Sequence, residues 1–91
     1  MYKLDITVQA KTDIAVLKKN GGKVITQKIE KLLQELIEHP KTGTGQVEQL
    51  RGNMHGKWSR RIDKKNRLIY TVDDETVTVE VLSAKGHYGD K

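Results

Sequence analysis

The stretch "KWSRRIDKKNRLIYTV", residues 57–72, decides how this chain folds. Its first fourteen positions hold three lysines and three arginines, and Asp63 is the one acid among them. Apolar residues recur at every second position, which is the period of a strand with one buried face. Trp58, Arg60 and Ile62 share one face, and Ser59 and Arg61 the other. After the turn, Leu68, Tyr70 and Val72 share a face, and Arg67, Ile69 and Thr71 oppose them. If the two apolar sets meet one core, Arg61 and Arg67 both stand on the opposite, open side. A three-residue loop, Lys64-Lys65-Asn66, places Ile62 across from Leu68 and Asp63 across from Arg67, because asparagine tolerates the left-handed position such a loop needs. Arg61 is then a diagonal neighbour of Arg67, about 7–8 Å away.

The segments on either side complete the fold class. In "MYKLDITVQ", Tyr2, Leu4, Ile6 and Val8 alternate with polar residues, so residues 2–9 are expected as a half-buried strand. Asp13 is an N-cap candidate for a first helix that ends at "NGG", with Gly21 as a left-handed cap. Ile25, Ile29, Leu32, Leu33, Leu36 and Ile37 form a single helical stripe, which Pro40 terminates. "VEQL" and "TVTVEVL" supply further strands. The expectation is an α+β fold: an N-terminal strand, two helices, then an antiparallel sheet of three to four strands, with the helices on one face. Ninety-one residues suit a single domain spanning 1–91.

Composition narrows the chemistry. The chain carries a formal charge of +5 at pH 7. Arg51, Lys57, Arg60, Arg61, Lys64, Lys65 and Arg67 face only Asp63 within the 51–67 window, so the whole of the excess charge is there and the rest of the chain is near neutral. Such a surface favours phosphate, an acidic protein or anionic lipid as partner. The same charge also suits a solvated, edge-protecting sheet face, and the pattern alone leaves both readings open. Without cysteine there is neither a disulfide nor thiol chemistry. No signal-peptide core and no apolar run near the roughly 20 residues of a membrane span is present, so a cytoplasmic location and no membrane association are expected.

Gly43-Thr44-Gly45 lacks the lysine and helix of a phosphate loop and reads as a flexible connection. His39, His55 and His87 are too far apart in sequence for a ligand-spaced pair, so no metal is expected. His39 is expected to interact with the C-terminal end of its helix, and His55 to lie in an exposed turn. Glu48, Arg61, Arg67, His87 and Tyr88 each have a bland reading alone. Together they are the parts for cutting RNA without a metal. A carboxylate takes the proton of the 2′-hydroxyl, an imidazolium protonates the leaving 5′-oxygen, and guanidiniums carry the charge on the phosphorane. An aromatic beside them can stack on a base.

"GTGQVEQLRGNMHGKWSRRIDKKNRLIYTV", residues 43–72, resembles the central segment of the YoeB toxins within the RelE-like group. Glu48-x-Leu50-Arg51, Trp58-Ser-Arg-Arg-Ile62, Arg67-Leu-Ile-Tyr70 and a terminal His87-Tyr88 match in order and approximate spacing. The likeness covers residues 40–88 well and the first 39 only in outline. It implies a small microbial-ribonuclease-like α+β fold. It further implies the toxin of a type II toxin–antitoxin pair, which cleaves messenger RNA in the ribosomal A site and stops translation, with no metal or other cofactor. By the resemblance, Glu48 is the general base, His87 the general acid, Arg67 the transition-state arginine and Tyr88 the aromatic that closes the site. Arg51 and Arg61 are phosphate-holding residues, and Lys57, Trp58, Lys64 and Lys65 complete the RNA-binding set. With Glu48 buried among these cations, its pKa is expected to be lowered. The tail departs from the family pattern, with two additional residues before His87 and Gly89-Asp90-Lys91 after Tyr88. The implied partners are an acidic antitoxin, messenger RNA and the ribosome, with a homodimer left open. Two alternatives stand beside this reading: a RelE/ParE-like toxin that binds gyrase without cutting RNA, and a non-catalytic RNA-binding module.

Overall fold

The computed structural model describes residues 1–84. Strand β1 spans Lys3–Ile6, helix α1 Val8–Glu38, strand β2 Glu48–Gln49, strand β3 Trp58–Arg61, strand β4 Arg67–Asp73 and strand β5 Thr78–Ser83, with a 3₁₀ turn at Gly52–Met54. The strands form one sheet in the order β1-β5-β4-β3-β2. β1 runs parallel to β5, and the other neighbours are antiparallel. The α+β class therefore holds, and β2 to β5 form the expected antiparallel run of four strands; the N-terminal strand β1 joins it in parallel beside β5, making a mixed five-stranded sheet.

The first strand is shorter than its alternation suggests. It ends at Ile6 because Thr7 caps the helix, accepting a hydrogen bond from the Ala10 N–H at 3.1 Å and donating its own hydroxyl to Leu82 O at 3.0 Å. Val8, expected on the apolar strand face, is instead the first helical residue and 81% exposed. Asp13 is not the cap. It is buried within α1, where its carboxylate accepts from the Ala84 N–H at 3.1 Å and from Gln9 at 2.8 Å.

The two expected helices are one helical element, because no loop intervenes. Helical backbone runs on both sides of one non-helical residue, Gly22, whose φ of 68° and ψ of −153° suit glycine. The sequence placed this position at Gly21. The break is sharp, since Lys18 Nζ and Glu30 Oε2 lie 3.5 Å apart, whereas twelve residues of straight helix span about 18 Å. Both arms of α1 thus cover the sheet. Ala10, Ile14, Ile29, Leu32 and Leu36 pack with Ile62, Leu68, Tyr70, Val79 and Val81 in one buried cluster.

The β3–β4 pairing differs from expectation by two residues. Arg61 lies directly opposite Arg67, Arg60 opposite Leu68 and Ser59 opposite Ile69. Asp63 is therefore not in the ladder. It turns the loop, with Oδ1 accepting from the N–H groups of Lys65 and Asn66, both at 2.8 Å, and from Asn66 Nδ2 at 3.1 Å. Burial alone pushes the Asp63 carboxyl up, but these hydrogen bonds and the nearby Arg61 charge outweigh it, so its pKa is lowered. A slip of two leaves every side chain on its expected face.

Candidate active site

Strand pairing brings the predicted residues of the central segment together. Glu48 on β2 pairs with Ser59, Ser59 pairs with Ile69, and the next row is Arg61 beside Arg67. All five side chains share the face turned away from α1. Ser59 and Ile69 are buried, 0% and 5% exposed, and form a floor. Arg61 and Arg67 are half-buried beside it. Arg67 Nη1 reaches diagonally to Ser59 Oγ at 3.5 Å, so its guanidinium lies over the residue directly opposite Glu48. Glu48 is exposed on the edge strand, and is not buried among the cations as expected. It thus retains access to solvent, one strand away from the Ser59 hydroxyl that Arg67 reaches. The site is a carboxylate and two cations above a small buried floor, the composition that activates a hydroxyl and stabilises charge on a phosphoryl oxygen.

The loop before β2 fixes Arg61. The Arg61 N–H donates to Gly45 O at 2.5 Å, its Nε donates to Asp63 O at 3.2 Å and its Nη1 points to Gln46 Oε1 at 3.5 Å. Gly45 has a φ of 94°, and a Cβ there would lie 3.0 Å from Arg61 O and 3.2 Å from Leu32 Cδ2. The segment 43–45, expected to be a flexible connection, is held tightly. The Thr44 N–H donates to Glu35 Oε1 at 2.8 Å, and Thr44 O accepts from Arg60 at 3.3 Å.

Arg60 occupies the opposite face and has a different role. It is 0% exposed. Its Nη1 meets Glu35 Oε1 at 2.8 Å, and its Nη2 donates to His39 O at 2.6 Å and Thr42 O at 2.5 Å. Its Nε donates to the Tyr70 hydroxyl at 3.2 Å, which itself donates to Pro40 O at 2.7 Å. The guanidinium thus supplies the positive charge at the C-terminus of α1 that the sequence assigned to His39, whose own side chain is exposed. Burial works to raise the Glu35 pKa, but the Thr44 hydrogen bonds and the Arg60 charge prevail and hold it below its ordinary value. One of the seven cations of the 51–67 window is therefore internal and neutralised.

The remaining predicted residues divide. Trp58 is half-buried against the helix-side core, on the face away from Glu48, Arg61 and Arg67. This is the face the alternation assigned to it, whereas the resemblance grouped it with the RNA-binding residues. Lys57 is half-buried before β3; Lys64 and Lys65 are exposed at the tip of the β3–β4 loop. Arg51 is exposed and borders a shallow hollow with Gln49, Leu50 and His55. His87 and Tyr88 lie outside the described residues, as do Gly89-Asp90-Lys91. Ser59, Gln46 and Gly45 were not anticipated. Ser59 was legible from its place in the strand alternation, whereas Gln46 precedes β2 and carries no periodic signal.

The family model described as the YoeB-like toxin of bacterial type II toxin–antitoxin systems matches residues 6–88. The chain belongs to this family. A YoeB toxin of Mycobacterium bovis is 42% identical over 62 residues, which are 68% of this chain and 71% of that toxin. The structure of a YoeB/ParE toxin from Agrobacterium tumefaciens superposes with a TM-score of 0.84 at 31% identity, covering 94% of this chain and 99% of that one. The toxin in a heterotetrameric YoeB–YefM toxin–antitoxin complex from Staphylococcus aureus gives a TM-score of 0.78 at 34% identity, covering 97% and 99%. The YoeB-like match extends through the first arm of α1, where the sequence resemblance was only in outline. No helix among the described residues is long and apolar enough to cross a membrane.

Proposed function

We propose that this YoeB-like toxin is a metal-independent endoribonuclease that cleaves messenger RNA in the ribosomal A site. The reading is carried by the convergence of Glu48 and Arg67 about Ser59, with Arg61 in the adjoining pair. Glu48 takes the proton of a 2′-hydroxyl, whose oxygen attacks the neighbouring phosphorus. The bond from phosphorus to the 5′-oxygen breaks, leaving a 2′,3′-cyclic phosphate, and His87 protonates the departing oxygen. Arg67 stabilises the charge that builds on the phosphorane oxygens, Arg61 holds the phosphate and Tyr88 closes over the site. Arg51 extends the cationic surface along the RNA.

Expression should arrest translation and leave messenger RNA cut at ribosome-bound positions. Glu48→Gln, Arg67→Ala and His87→Ala variants with unchanged folding should each lose cleavage, with acid–base groups contributing roughly 10²–10⁴-fold each. Full toxicity in all three rejects the assignment. Arrest without cut transcripts but with DNA damage supports the gyrase-binding alternative instead.

The partner follows from charge and from the Staphylococcus aureus relative, which assembles with an antitoxin. An acidic antitoxin segment lying on the Arg51–Arg67 surface would relieve its self-repulsion. Association should weaken as salt rises.

A further inference from the structure

Beside the proposed catalytic face is a second concavity, about 430 Å³ in volume. Its walls come from three distant parts of the chain: Lys28 on the second arm of α1, Gly45 and Gln46 before β2, and Arg61 to Lys64 at the end of β3. Three cations, Lys28, Arg61 and Lys64, line it against one acid, Asp63. The Asp63 Oδ1 atom is already occupied by three loop hydrogen bonds. The Lys28 amine makes no hydrogen bond or ion pair among the described residues. Arg61 is held by its Nε and Nη1, while its Nη2 makes no hydrogen bond to the described residues. A surface that only needs solubility spreads like charges apart. Here the Lys28 amine and the outer edge of the Arg61 guanidinium, neither of which makes a hydrogen bond to the described residues, face the same hollow, an arrangement that favours an anion between them.

We propose that this cleft is a subsite for a phosphate of the RNA backbone adjoining the scissile linkage, held by Lys28, Lys64 and the free edge of the Arg61 guanidinium. It rests on the catalytic reading above and deepens it. Arg61 stands at the boundary, with its outward edge in the cleft and its strand partner Arg67 at the scissile position. The RNA then runs from the Glu48 edge across β3 and into the hollow beneath α1. Its backbone direction is set by this second grip, and the 2′-hydroxyl is presented to Glu48 in one orientation.

The test is equilibrium binding of a 2′-O-methylated, hence uncleavable, single-stranded RNA oligonucleotide to the full chain over a range of salt concentrations. Each phosphate contact on a single strand contributes about 0.7 to the slope of log affinity against log salt. Lys28→Gln should reduce that slope by about 0.7 and weaken low-salt binding by about three- to tenfold, and Lys28→Arg should restore both. Lys3→Gln, an equal charge loss on β1 at the far edge of the sheet, should leave the slope as it is. Lys64→Gln serves as the second variant should Lys28→Gln fold poorly. Equal effects of Lys28→Gln and Lys3→Gln would overturn the subsite, as would an oligonucleotide that the unmutated chain does not bind. A Lys28→Gln change that weakens only antitoxin binding would assign the cleft to a protein partner and also overturn it. A reduced slope in a chain that cuts no messenger would leave the subsite standing and remove the catalytic reading. Normal cutting with an unaltered slope would do the reverse.

Discussion

Replacing Arg60 by methionine separates two readings of the same basic stretch. As a surface cation, Arg60 would contribute to RNA binding and little to folding; such substitutions usually stay within about 0.5 kcal/mol. The structure gives it five hydrogen bonds and no exposure. Methionine fills most of the volume, so the loss is polar and leaves no large cavity. It strands the carbonyls of His39, Thr42 and Thr44 and removes the counter-charge of Glu35, whose side chain is 14% exposed. Breaking a buried ion pair from one side costs about 3–5 kcal/mol. A chain of this length has a total stability of about 5–14 kcal/mol. The thermal midpoint of Arg60→Met should therefore fall by at least about 12 °C, at 4–8 °C per kcal/mol. Tyr70→Phe, which removes one donor to Pro40 O and one acceptor for Arg60, should cost about 1–3 kcal/mol. Denaturant unfolding measures both changes. An Arg60→Met variant within 0.5 kcal/mol of the parent that binds RNA more weakly would refute the structural assignment.

Other expectations follow from the same contacts. Because the folded Glu35 pKa lies below its ordinary value, its stabilising contribution is present above the unfolded carboxyl pKa of about 4.3 and is lost as pH falls through the lower folded value. Unfolding measured from pH 6 down to pH 2 should show a shallower acid decline in Glu35→Gln than in the parent; parallel curves would contradict this. Gly45→Ala should lower stability by about 1–3 kcal/mol, since alanine resists a φ of 94° and its methyl would crowd Arg61 O. The same change displaces the backbone that fixes Arg61, so phosphate binding should weaken in parallel. Glu48→Gln, on an exposed edge, should keep the parental thermal midpoint while losing cleavage.

How much of this was legible depends on which interactions are periodic. Face assignment was, because alternation fixes it and survives a two-residue error in register: Arg61 and Arg67 were expected on one side and are there. The error itself came from Asp63. Its carboxylate organises the β3–β4 loop from within, and no pattern of hydrophobicity marks an acid as a turn-former when it also fits a ladder position. The helix start was missed for the same kind of reason. Thr7 and Asp13 are both good caps by residue type, and what decides between them is that Asp13 is claimed by the N–H of Ala84, the residue after β5. The glycine break was legible to within one residue, and what the spacing did not convey was that no loop separates the helix before it from the helix after it.

Arg60 and Arg61 show where residue counting ends and structure begins. Adjacent in sequence and identical in type, they lie on opposite faces of β3, and the parity that separates them was already in the alternation. It could not be carried through to a role, because Trp58 and Ile62 marked the helix face as apolar and a buried guanidinium there has no periodic signature. Its partners, Glu35 and the carbonyls of His39, Thr42 and Thr44, come from the end of α1 and the loop after it. That same loop continues into Gly45 and Gln46, which hold Arg61. The buried arginine thus anchors, from one face of the strand, the loop that orients its exposed neighbour on the other. A double-mutant cycle between Arg60→Met and Gln46→Ala, read as RNA affinity, should therefore depart from additivity. Strict additivity would mean that the two faces of β3 act independently and that the loop transmits nothing between them.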